Sequence, residues 1–398
     1  MDNDNNITTR KIFFKSDKII PIVVLFLTGL SILMVYSMRG TVVLQHLKHL
    51  LFAYIGMFIC YQINYKFIGG FSPVLILVAG FLLITTLTSQ TTRGISLMGR
   101  DVQTFYLIGF ILIMFMSYFI GRKYEKKKRE ERPLNYMCED FDFELDNRTA
   151  WIMYGVLCLF CLCIALLNMS TSIILFITGI AILFIGGTKL KEVCKMVSIV
   201  VGLLLIVVII VANMSENKKA NIGRIATFIN RWEYFITNDN TDGYGDQMIL
   251  ARTAIARSGL HPAGPGNGVI KNRLPEKETD YAFASMFEET GIVVGVLIIF
   301  SYLIIFYRAW NIAKNSKGFY GRLLAFGIGF WFTAQAFVHI GVNCELLPAT
   351  GQTLPFISSG GSSLFVSGCA MGILLNIAKI SKSDELSEKP INIMKTTI

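Results

Sequence analysis

The stretch IIPIVVLFLTGLSILMVYSM, from Ile19 to Met38, contains no charged side chain and is the clearest of several apolar runs. A bilayer core of about 30 Å requires runs of roughly 17–25 apolar residues. The chain of 398 residues is 53% hydrophobic and only 16% charged, as is typical of an integral membrane protein. The sequence therefore predicts an all-α polytopic fold with about ten transmembrane helices. The runs begin near Ile19, His49, Phe71, Phe105, Trp151, Ser172, Val197, Gly291, Gly321 and Leu364.

The distribution of basic residues predicts the orientation of the chain. We expect the first run to remain as a helix, because it is too long for the apolar part of a signal peptide. Lysines and arginines cluster in alternate connections, at positions 10–18, 66, 122–132, 189–195, 308–322 and beyond 379. This positive-inside pattern places both termini in the cytoplasm and explains the net charge of +10 without a nucleic-acid partner. The run 122–129 is also suited to contact with anionic lipid headgroups, although orientation is its simpler role.

We interpret residues 1–398 as a single membrane domain with two sizeable segments outside the membrane. A cytoplasmic linker lies at about 122–149, and a large outer loop lies at about 213–289, between the seventh and eighth helices. A cytoplasmic tail follows at about 379–398. Within the outer loop, the pattern predicts helices at 217–230 and 247–258, with a turn-rich connection at 238–245. The cysteines show no disulfide pattern, and we find no zinc-ligand cluster.

The outer loop ends in Leu274-Pro275-Glu276-Lys277-Glu278-Thr279-Asp280, directly before an apolar run. A carboxylate at the mouth of a membrane cavity can remove a proton from an attacking hydroxyl. Such general-base catalysis supplies about 10²–10⁴-fold in rate. Asp280 is therefore the candidate catalytic residue. The alternative is an ordinary solvated carboxylate, which is the usual state of acidic residues in outer loops.

A basic set in the outer loop, consisting of Arg224, Arg231, Arg257, Lys271 and Arg273, is suited to binding phosphate. Arginine and lysine make charge-assisted hydrogen bonds to phosphate oxygens. The set fits the diphosphate of a lipid-linked substrate held at the level of the headgroups. For each residue, contact with lipid headgroups or an internal ion pair is the alternative.

Three further polar patterns lie near the predicted outer surface or within a predicted span. Glu288 and Glu289 stand at a predicted helix start, where the helix dipole favours negative charge by about 0.3–1 kcal/mol. One of them is a candidate to line the cavity or to pair with an arginine. The segment 345–363, ELLPATGQTLPFISSGGSS, predicts a broken or re-entrant segment with hydroxyls for sugar or phosphate. Gln335 and His339 share one face of the ninth run, where a packed histidine is more common than a proton relay.

These motifs resemble those of the SEDS family (shape, elongation, division and sporulation), whose members include FtsW and RodA. The family's Leu-Pro-Glu-x-His-Thr-Asp-Phe and Glu-Glu-x-Gly are similar to residues 274–281 and 288–291 here. Its Leu-Pro-x-Thr-Gly-x-x-Leu-Pro-Phe-x-Ser-Tyr-Gly-Gly-Ser-Ser is similar to residues 347–363. The glycine turn at 264–268 and Gln247 also resemble the family's pattern. Glu278 and Ser359 depart from the family's histidine and tyrosine, and its Gln-Pro-Ser-Glu appears only as Gln103-Thr104-Phe105-Tyr106.

The resemblance implies a peptidoglycan glycosyltransferase of the bacterial inner membrane that polymerises lipid II. Asp280 would deprotonate the acceptor 4-hydroxyl, which attacks the donor with inversion to a β-1,4 bond. A class B penicillin-binding protein is the implied partner, together with other membrane proteins of the divisome or elongasome. A divalent cation (Mg²⁺ or Mn²⁺) would add to the countercharge of the basic set. The implied substrate-binding residues are Lys271, Arg273, Glu276, Arg224, Arg231, Gln247, Glu288, Glu289, Thr350, Ser358, Ser362 and Ser363.

Two other functions remain alternatives at this point. A lipid II flippase would need a large alternating cavity and could dispense with Asp280. A non-catalytic scaffold would only recruit the transpeptidase partner. The apolar runs hold almost no ionisable groups, whereas ion-coupled transporters usually need them at mid-membrane. The shared motifs do not discriminate a role in division from one in elongation.

Overall fold

The computed structural model describes residues 17–38, 40–88, 95–97, 100–131, 143–212, 224–237 and 245–393. Within these ranges the chain forms thirteen α-helices, one 3₁₀ turn and two short strands. The helices are α1 Ile19–Met38, α2 Val43–Gln62, α3 Tyr65–Gly70, α4 Ser72–Thr88, α5 Thr104–Glu131, α6 Asn147–Ala165, α7 Met169–Ile185, α8 Leu190–Ala212, α9 Arg224–Thr237, α10 Asp246–Ser258, α11 Ala282–Asn315, α12 Phe319–Asn343 and α13 Gly361–Ile393.

The prediction of an all-α membrane fold is confirmed. Seven of the described helices (α1, α2, α5, α6, α11, α12 and α13) are long and apolar enough to cross a membrane. The other predicted runs correspond to the shorter apolar helices α4 and α7 and to α8. Large apolar side chains point outward along these helices, with Leu77 73% exposed and Phe81 and Leu162 each 67% exposed. Exposed apolar surface on this scale marks contact with lipid rather than with water.

The helices extend beyond the apolar runs into the predicted loops. Helix α5 continues through the basic run to Glu131, and α13 continues to Ile393 within the predicted tail. In the outer loop, α10 agrees with the predicted helix 247–258, and α9, described from Arg224 to Thr237, overlaps the predicted helix 217–230 and extends past its predicted end. Most of the turn-rich connection and the start of the first predicted helix lie outside the described residues. A hairpin that the sequence did not predict pairs Ile95–Leu97 with Arg100–Val102.

Close packing at the centre of the bundle depends on small residues. Lipid tails are as apolar as leucine, so helices associate in membranes through tight van der Waals contact rather than through burial from water. Helix α13 lies along α2. A Cβ added at Gly368 would lie 2.2 Å from the Ala53 carbonyl oxygen, and one added at Gly372 would lie 2.3 Å from the Met57 carbonyl oxygen. The four-residue spacing of these glycines allows the two backbones to touch. Helices α5 and α12 pack at the centre, with Trp331 only 2% exposed.

Helix α11 begins earlier than the predicted eighth span and contains a break. The sequence predicts a span from Gly291, but the helix begins at Ala282 and is interrupted at Gly291, whose φ is 74°. Glycine tolerates this left-handed conformation because it has no Cβ. The carbonyls freed by the break accept hydrogen bonds from the glycine turn, with Ala263 N donating to Glu288 O at 3.0 Å and Gly264 N to Glu289 O at 3.1 Å. The break therefore joins the outer loop to the membrane helix.

Candidate active site

Asp280 lies directly before the first turn of α11, and helix α12 fixes its backbone. The Asn343 side chain donates from Nδ2 to the Asp280 carbonyl oxygen at 3.1 Å. Its Oδ1 accepts from the Ala284 amide at 2.9 Å. The first amides of a helix have no partner within the helix, so Asn343 acts as a cap supplied by another helix. The Asp280 side chain is half-buried. It is therefore held at a helix start yet remains accessible to a second molecule.

His339 supports the same helix start from one turn earlier on α12. Its Nδ1 lies 2.7 Å from the Gln352 carbonyl oxygen, and its Nε2 accepts from the Phe283 amide at 3.4 Å. These partners assign the hydrogen to Nδ1 in a neutral imidazole, because a carbonyl can only accept and an amide can only donate. His339 is only 1% exposed. The structure thus places it as a packed, hydrogen-bonded residue.

The segment 345–360 forms the wall beside Asp280 without regular helix. Gly351 has a φ of 69°, and a Cβ added there would lie 3.3 Å from Asp280 Oδ2. Ser358 Oγ donates to the Thr279 carbonyl oxygen at 2.7 Å, and Ser359 N donates to the Glu278 carbonyl oxygen at 2.8 Å. The segment therefore contacts the loop that carries Asp280 at three places.

Membrane helices satisfy the irregular backbone of this segment. Thr353 donates from N and Oγ1 to the Tyr106 hydroxyl oxygen at 3.2 and 2.8 Å. Gln335 Nε2 donates to the Thr353 carbonyl oxygen at 3.2 Å, and Ser31 Oγ donates to that of Ile357 at 2.6 Å. Non-helical backbone within a membrane protein requires such internal partners. This arrangement is the broken segment that the sequence predicts between the ninth and tenth runs.

Glu288 and Glu289 do not stand at a helix start, which corrects the sequence interpretation. They occupy the end of the short first part of α11, where the helix dipole disfavours negative charge. Other partners stabilise them. Glu288 accepts from the three successive amides of Val269, Ile270 and Lys271, each at 2.8 Å. Glu289 pairs with the Lys271 ammonium.

Lys271 is a buried structural cation in this structure rather than a surface residue of the basic set. It is only 1% exposed, and its Nζ donates to Ser37 Oγ at 2.6 Å as well as to Glu289. Ser37 Oγ in turn donates to Glu289 Oε2 at 2.6 Å. The cluster joins α1, the glycine turn and α11. The predicted role of Lys271, Glu288 and Glu289 in substrate binding is untested, and their charged groups already have internal partners.

One arginine of the basic set contacts the segment that lies beside Asp280. Arg231 of α9 donates from Nη1 to the Ala349 carbonyl oxygen at 3.1 Å, beside Gly351. Burial raises the pKa of the Tyr281 hydroxyl; the charge of Arg231 lowers this pKa, whereas that of Asp280 raises it. Arg231 and Asp280 therefore share one electrostatic environment. Tyr281 stays neutral.

The other predicted residues of the outer loop differ in exposure. Arg273 and Arg257 are exposed, and Arg224 is the first residue of α9, where its side chain falls outside the described part. Gln247 is half-buried on α10, and Glu276 is exposed, its Oε2 accepting from Thr279 Oγ1 at 2.7 Å. The described members of the predicted set therefore differ in exposure from Lys271, which is only 1% exposed.

The predicted hydroxyls have different surroundings. Thr350 Oγ1 is buried and has no hydrogen-bond partner among the described residues, which makes it available to a ligand. Ser362 Oγ accepts from the Gln103 amide at 3.2 Å, and Ser363 Oγ donates to the Gly360 carbonyl oxygen at 3.0 Å. Ser358 is occupied by the contacts described above. Of the four, Thr350 is thus the best placed for substrate contact.

Sequence reasoning missed Asn343, although a signal was present. Gln335, His339 and Asn343 are spaced four residues apart and lie on one face of α12, so the polar stripe continues one turn beyond His339. Gln352 was also missed. Its Nε2 donates to Thr171 Oγ1 at 2.7 Å and ties the segment to α7.

No group of three or more His, Cys, Asp or Glu side chains in the described ranges could hold a metal ion. Mg²⁺ is usually held by one or two carboxylates together with substrate phosphates rather than by a protein-only site.

Comparisons with known proteins agree with this architecture. The sequence model of the FtsW, RodA and SpoVE family, described as cell cycle protein, matches residues 11–383. The chain is 33% identical over 249 residues to the probable peptidoglycan glycosyltransferase FtsW of Francisella salina, covering 61% of this chain and only 58% of that relative. It is 28% identical over 381 residues to the probable peptidoglycan glycosyltransferase FtsW of Geobacter sp. (strain M18), covering 91% of this chain and 96% of the relative.

A solved structure shows the same fold. It comes from work on the structural coordination of polymerization and crosslinking by a peptidoglycan synthase complex, and its TM-score is 0.70 at 17% identity. The match covers 92% of this chain and 98% of the solved chain. Because the family match spans nearly the whole sequence, the chain belongs to the FtsW, RodA and SpoVE family of cell cycle proteins.

Proposed function

We propose that this chain is a peptidoglycan glycosyltransferase that polymerises lipid II into β-1,4-linked glycan strands, with Asp280 as general base. The observation that carries the proposal is the half-buried carboxylate of Asp280, placed between the re-entrant segment at Gly351 and a fixed helix start. The names of the curated relatives support the reaction class.

The reaction requires removal of one proton and stabilisation of one leaving group. The Asp280 carboxylate accepts the proton of the acceptor 4-hydroxyl as its oxygen forms a bond to the anomeric carbon of the donor. The bond from that carbon to the diphosphate breaks on the opposite face, so the configuration inverts and undecaprenyl diphosphate leaves. Arg231 is the described cation best placed to stabilise the departing charge. A divalent cation bound to the diphosphate would add countercharge.

The fixed backbone of Asp280 supports catalysis by positioning. Asn343 and His339 hold the two sides of the helix start, and Gly351 allows the wall to approach the carboxylate. A base must lie within hydrogen-bond reach of the proton that it abstracts. We infer that the missing Cβ at Gly351 leaves room for the acceptor hydroxyl beside Oδ2.

We also propose the assembly and location of this enzyme. A class B penicillin-binding protein is the proposed partner, since the structural neighbour comes from a complex that couples polymerization with crosslinking. Other divisome or elongasome membrane proteins would complete the assembly. The proposed location is the bacterial inner membrane, with both termini in the cytoplasm, because the basic connections alternate.

The test is polymerisation of labelled lipid II by the purified chain together with its transpeptidase partner. Asp280→Asn keeps the shape of the side chain but removes the base, so we expect glycan yield to fall by about 10²–10⁴-fold. Asp246→Asn, an exposed acid at the start of α10, is the matched control and should retain activity. Normal glycan from Asp280→Asn would refute the catalytic assignment.

The same preparation separates the rival functions. If the wild-type protein makes no glycan but moves lipid II between vesicle leaflets, the chain is a flippase. If it does neither yet restores crosslinking by its partner, the scaffold function is correct.

A further inference from the structure

A second pocket lies at the opposite end of the bundle from Asp280, among the basic connections. Its volume is about 290 Å³. The rings of Tyr65, Tyr118 and Tyr320 line it, together with the cationic side chains of Lys66 and Arg122. The described lining thus combines an aromatic wall with two cations and one carboxylate, that of Glu125.

Glycines shape this pocket. A Cβ added at Gly121 would lie 2.7 Å from Tyr320 Cα, and one added at Gly69 would lie 2.5 Å from the Tyr320 ring. Because both glycines lack a Cβ, α3 and α5 can pack closely around Tyr320. Tyr320 packs against Tyr65 with ring centroids 5.6 Å apart and against Tyr118 at 5.4 Å. The three rings therefore pack together as one aromatic wall.

One residue of the pocket lining carries a buried hydrogen-bond donor without a described partner. Tyr320 is only 6% exposed, and its hydroxyl makes no hydrogen bond with any described residue. Burying such a group without a partner is unfavourable, because the hydrogen bond to water is lost and not replaced. An acceptor oxygen on a bound molecule would replace it.

The two cations are also available for a ligand. Within the described part of the chain, Lys66 and Arg122 form no ion pair. In the neighbouring cavity of about 540 Å³, by contrast, Lys189 pairs with Glu144 at 2.5 Å and Lys126 with Glu130 at 3.7 Å. The two cations of the smaller pocket are therefore available to an anion.

The position of Arg122 indicates the depth at which the pocket lies in the membrane. It is the first charged residue after the apolar part of α5, from 104 to 121, a length of about 27 Å at 1.5 Å per residue. That length nearly matches the hydrocarbon core of about 30 Å. The pocket thus opens at the level of the lipid headgroups, on the face that the positive-inside pattern assigns to the cytoplasm.

We propose that this pocket binds the phosphate headgroup of an anionic phospholipid from the adjoining leaflet. Lys66 and Arg122 bind the phosphate oxygens, and the Tyr320 hydroxyl donates to one of them. Glu125 also lines the pocket and accepts a hydrogen bond from a hydroxylated headgroup such as phosphoglycerol. The volume lies at the small end of ligand cavities, which span about 300–1,000 Å³, so it accommodates a headgroup while the acyl chains remain in the bilayer.

The test titrates the full chain in neutral detergent with dioleoylphosphatidylglycerol, dioleoylphosphatidylcholine or glycerol 3-phosphate, and reads thermal stabilisation together with lipid adducts by native mass spectrometry. We expect phosphatidylglycerol to raise the Tm and phosphatidylcholine to leave it unchanged. Tyr320→Phe removes only the unpartnered hydroxyl; the lipid-free protein should therefore fold normally but bind about tenfold more weakly. Arg122→Gln should weaken binding by more.

Lys128→Gln is the matched control, because it removes the same charge from an exposed position of α5 outside the pocket. Its affinity for phosphatidylglycerol should stay within about twofold of wild type if the contacts are local. An equal loss in Lys128→Gln and Arg122→Gln would overturn the proposal, since only general surface charge would then act. So would unchanged binding by Tyr320→Phe. Stabilisation by glycerol 3-phosphate at the affinity of the lipid would assign the pocket to a soluble phosphate instead.

Discussion

Replacing Asn343 by alanine removes the two hydrogen bonds that hold Asp280 at the start of α11. The side chain is 0% exposed, and it bonds the Asp280 carbonyl at 3.1 Å and the Ala284 amide at 2.9 Å. Each buried backbone group left without a partner costs about 1–3 kcal/mol. We therefore expect a loss of about 2–6 kcal/mol in the free energy of unfolding, since the substitution leaves two such groups buried without a partner.

The same substitution should reduce polymerisation by the molecules that still fold. Displacement of a catalytic group by about 1 Å costs up to about 10²-fold in rate. We expect the rate of lipid II polymerisation to fall by about ten- to a hundredfold while the apparent affinity for lipid II changes less. The assay measures initial rates on monodisperse protein, normalised to the folded fraction from thermal unfolding.

Asn376→Ala is the matched control for this experiment. Asn376 is also buried and also bonds two backbone groups, the Tyr65 amide at 2.9 Å and the Tyr61 carbonyl at 2.7 Å, at the far end of the bundle. It should lose similar stability but keep its rate per folded molecule. If both variants lose the same activity, or if Asn343→Ala retains the wild-type rate, Asn343 does not position Asp280.

Three further predictions concern stability and charge. Lys271→Met leaves Glu289 buried without its cation, which should lower the free energy of unfolding by about 3–5 kcal/mol, and adding Glu289→Gln should recover most of this loss. A Lys271→Met variant that folds normally and only binds lipid II less tightly would instead assign Lys271 to substrate binding. Gly372→Leu should reduce thermal stability by at least about 1–3 kcal/mol, because a Cβ there would lie 2.3 Å from the Met57 carbonyl oxygen; an unchanged Tm would contradict this. Arg231→Gln should lower the rate of polymerisation by about 10²-fold with little effect on folding, and an unchanged rate would exclude it as countercharge for the diphosphate.

The amino-acid sequence alone determined the membrane class and the order of the elements. Apolar runs such as Ile19–Met38 must form helices in lipid, because no water is present to satisfy their backbone groups. The prolines and glycines of 345–363 predicted a broken segment for the same local reason: their backbones do not continue a helix. The sequence also identified Asp280 as a candidate catalytic residue, because it is an acid that directly precedes an apolar run.

Tertiary structure decided which charges are available for chemistry. Lys271 and Glu289 both looked suitable for substrate contact, but the break at Gly291 and the glycine turn bring them together as a buried pair. Asp280 and Gly351 are far apart in sequence and meet only because α11 and α12 pack side by side. Sequence periodicity reports which face of a helix is polar. Which residues form hydrogen bonds or ion pairs with the side chains of that face depends on the long-range contacts of the folded chain.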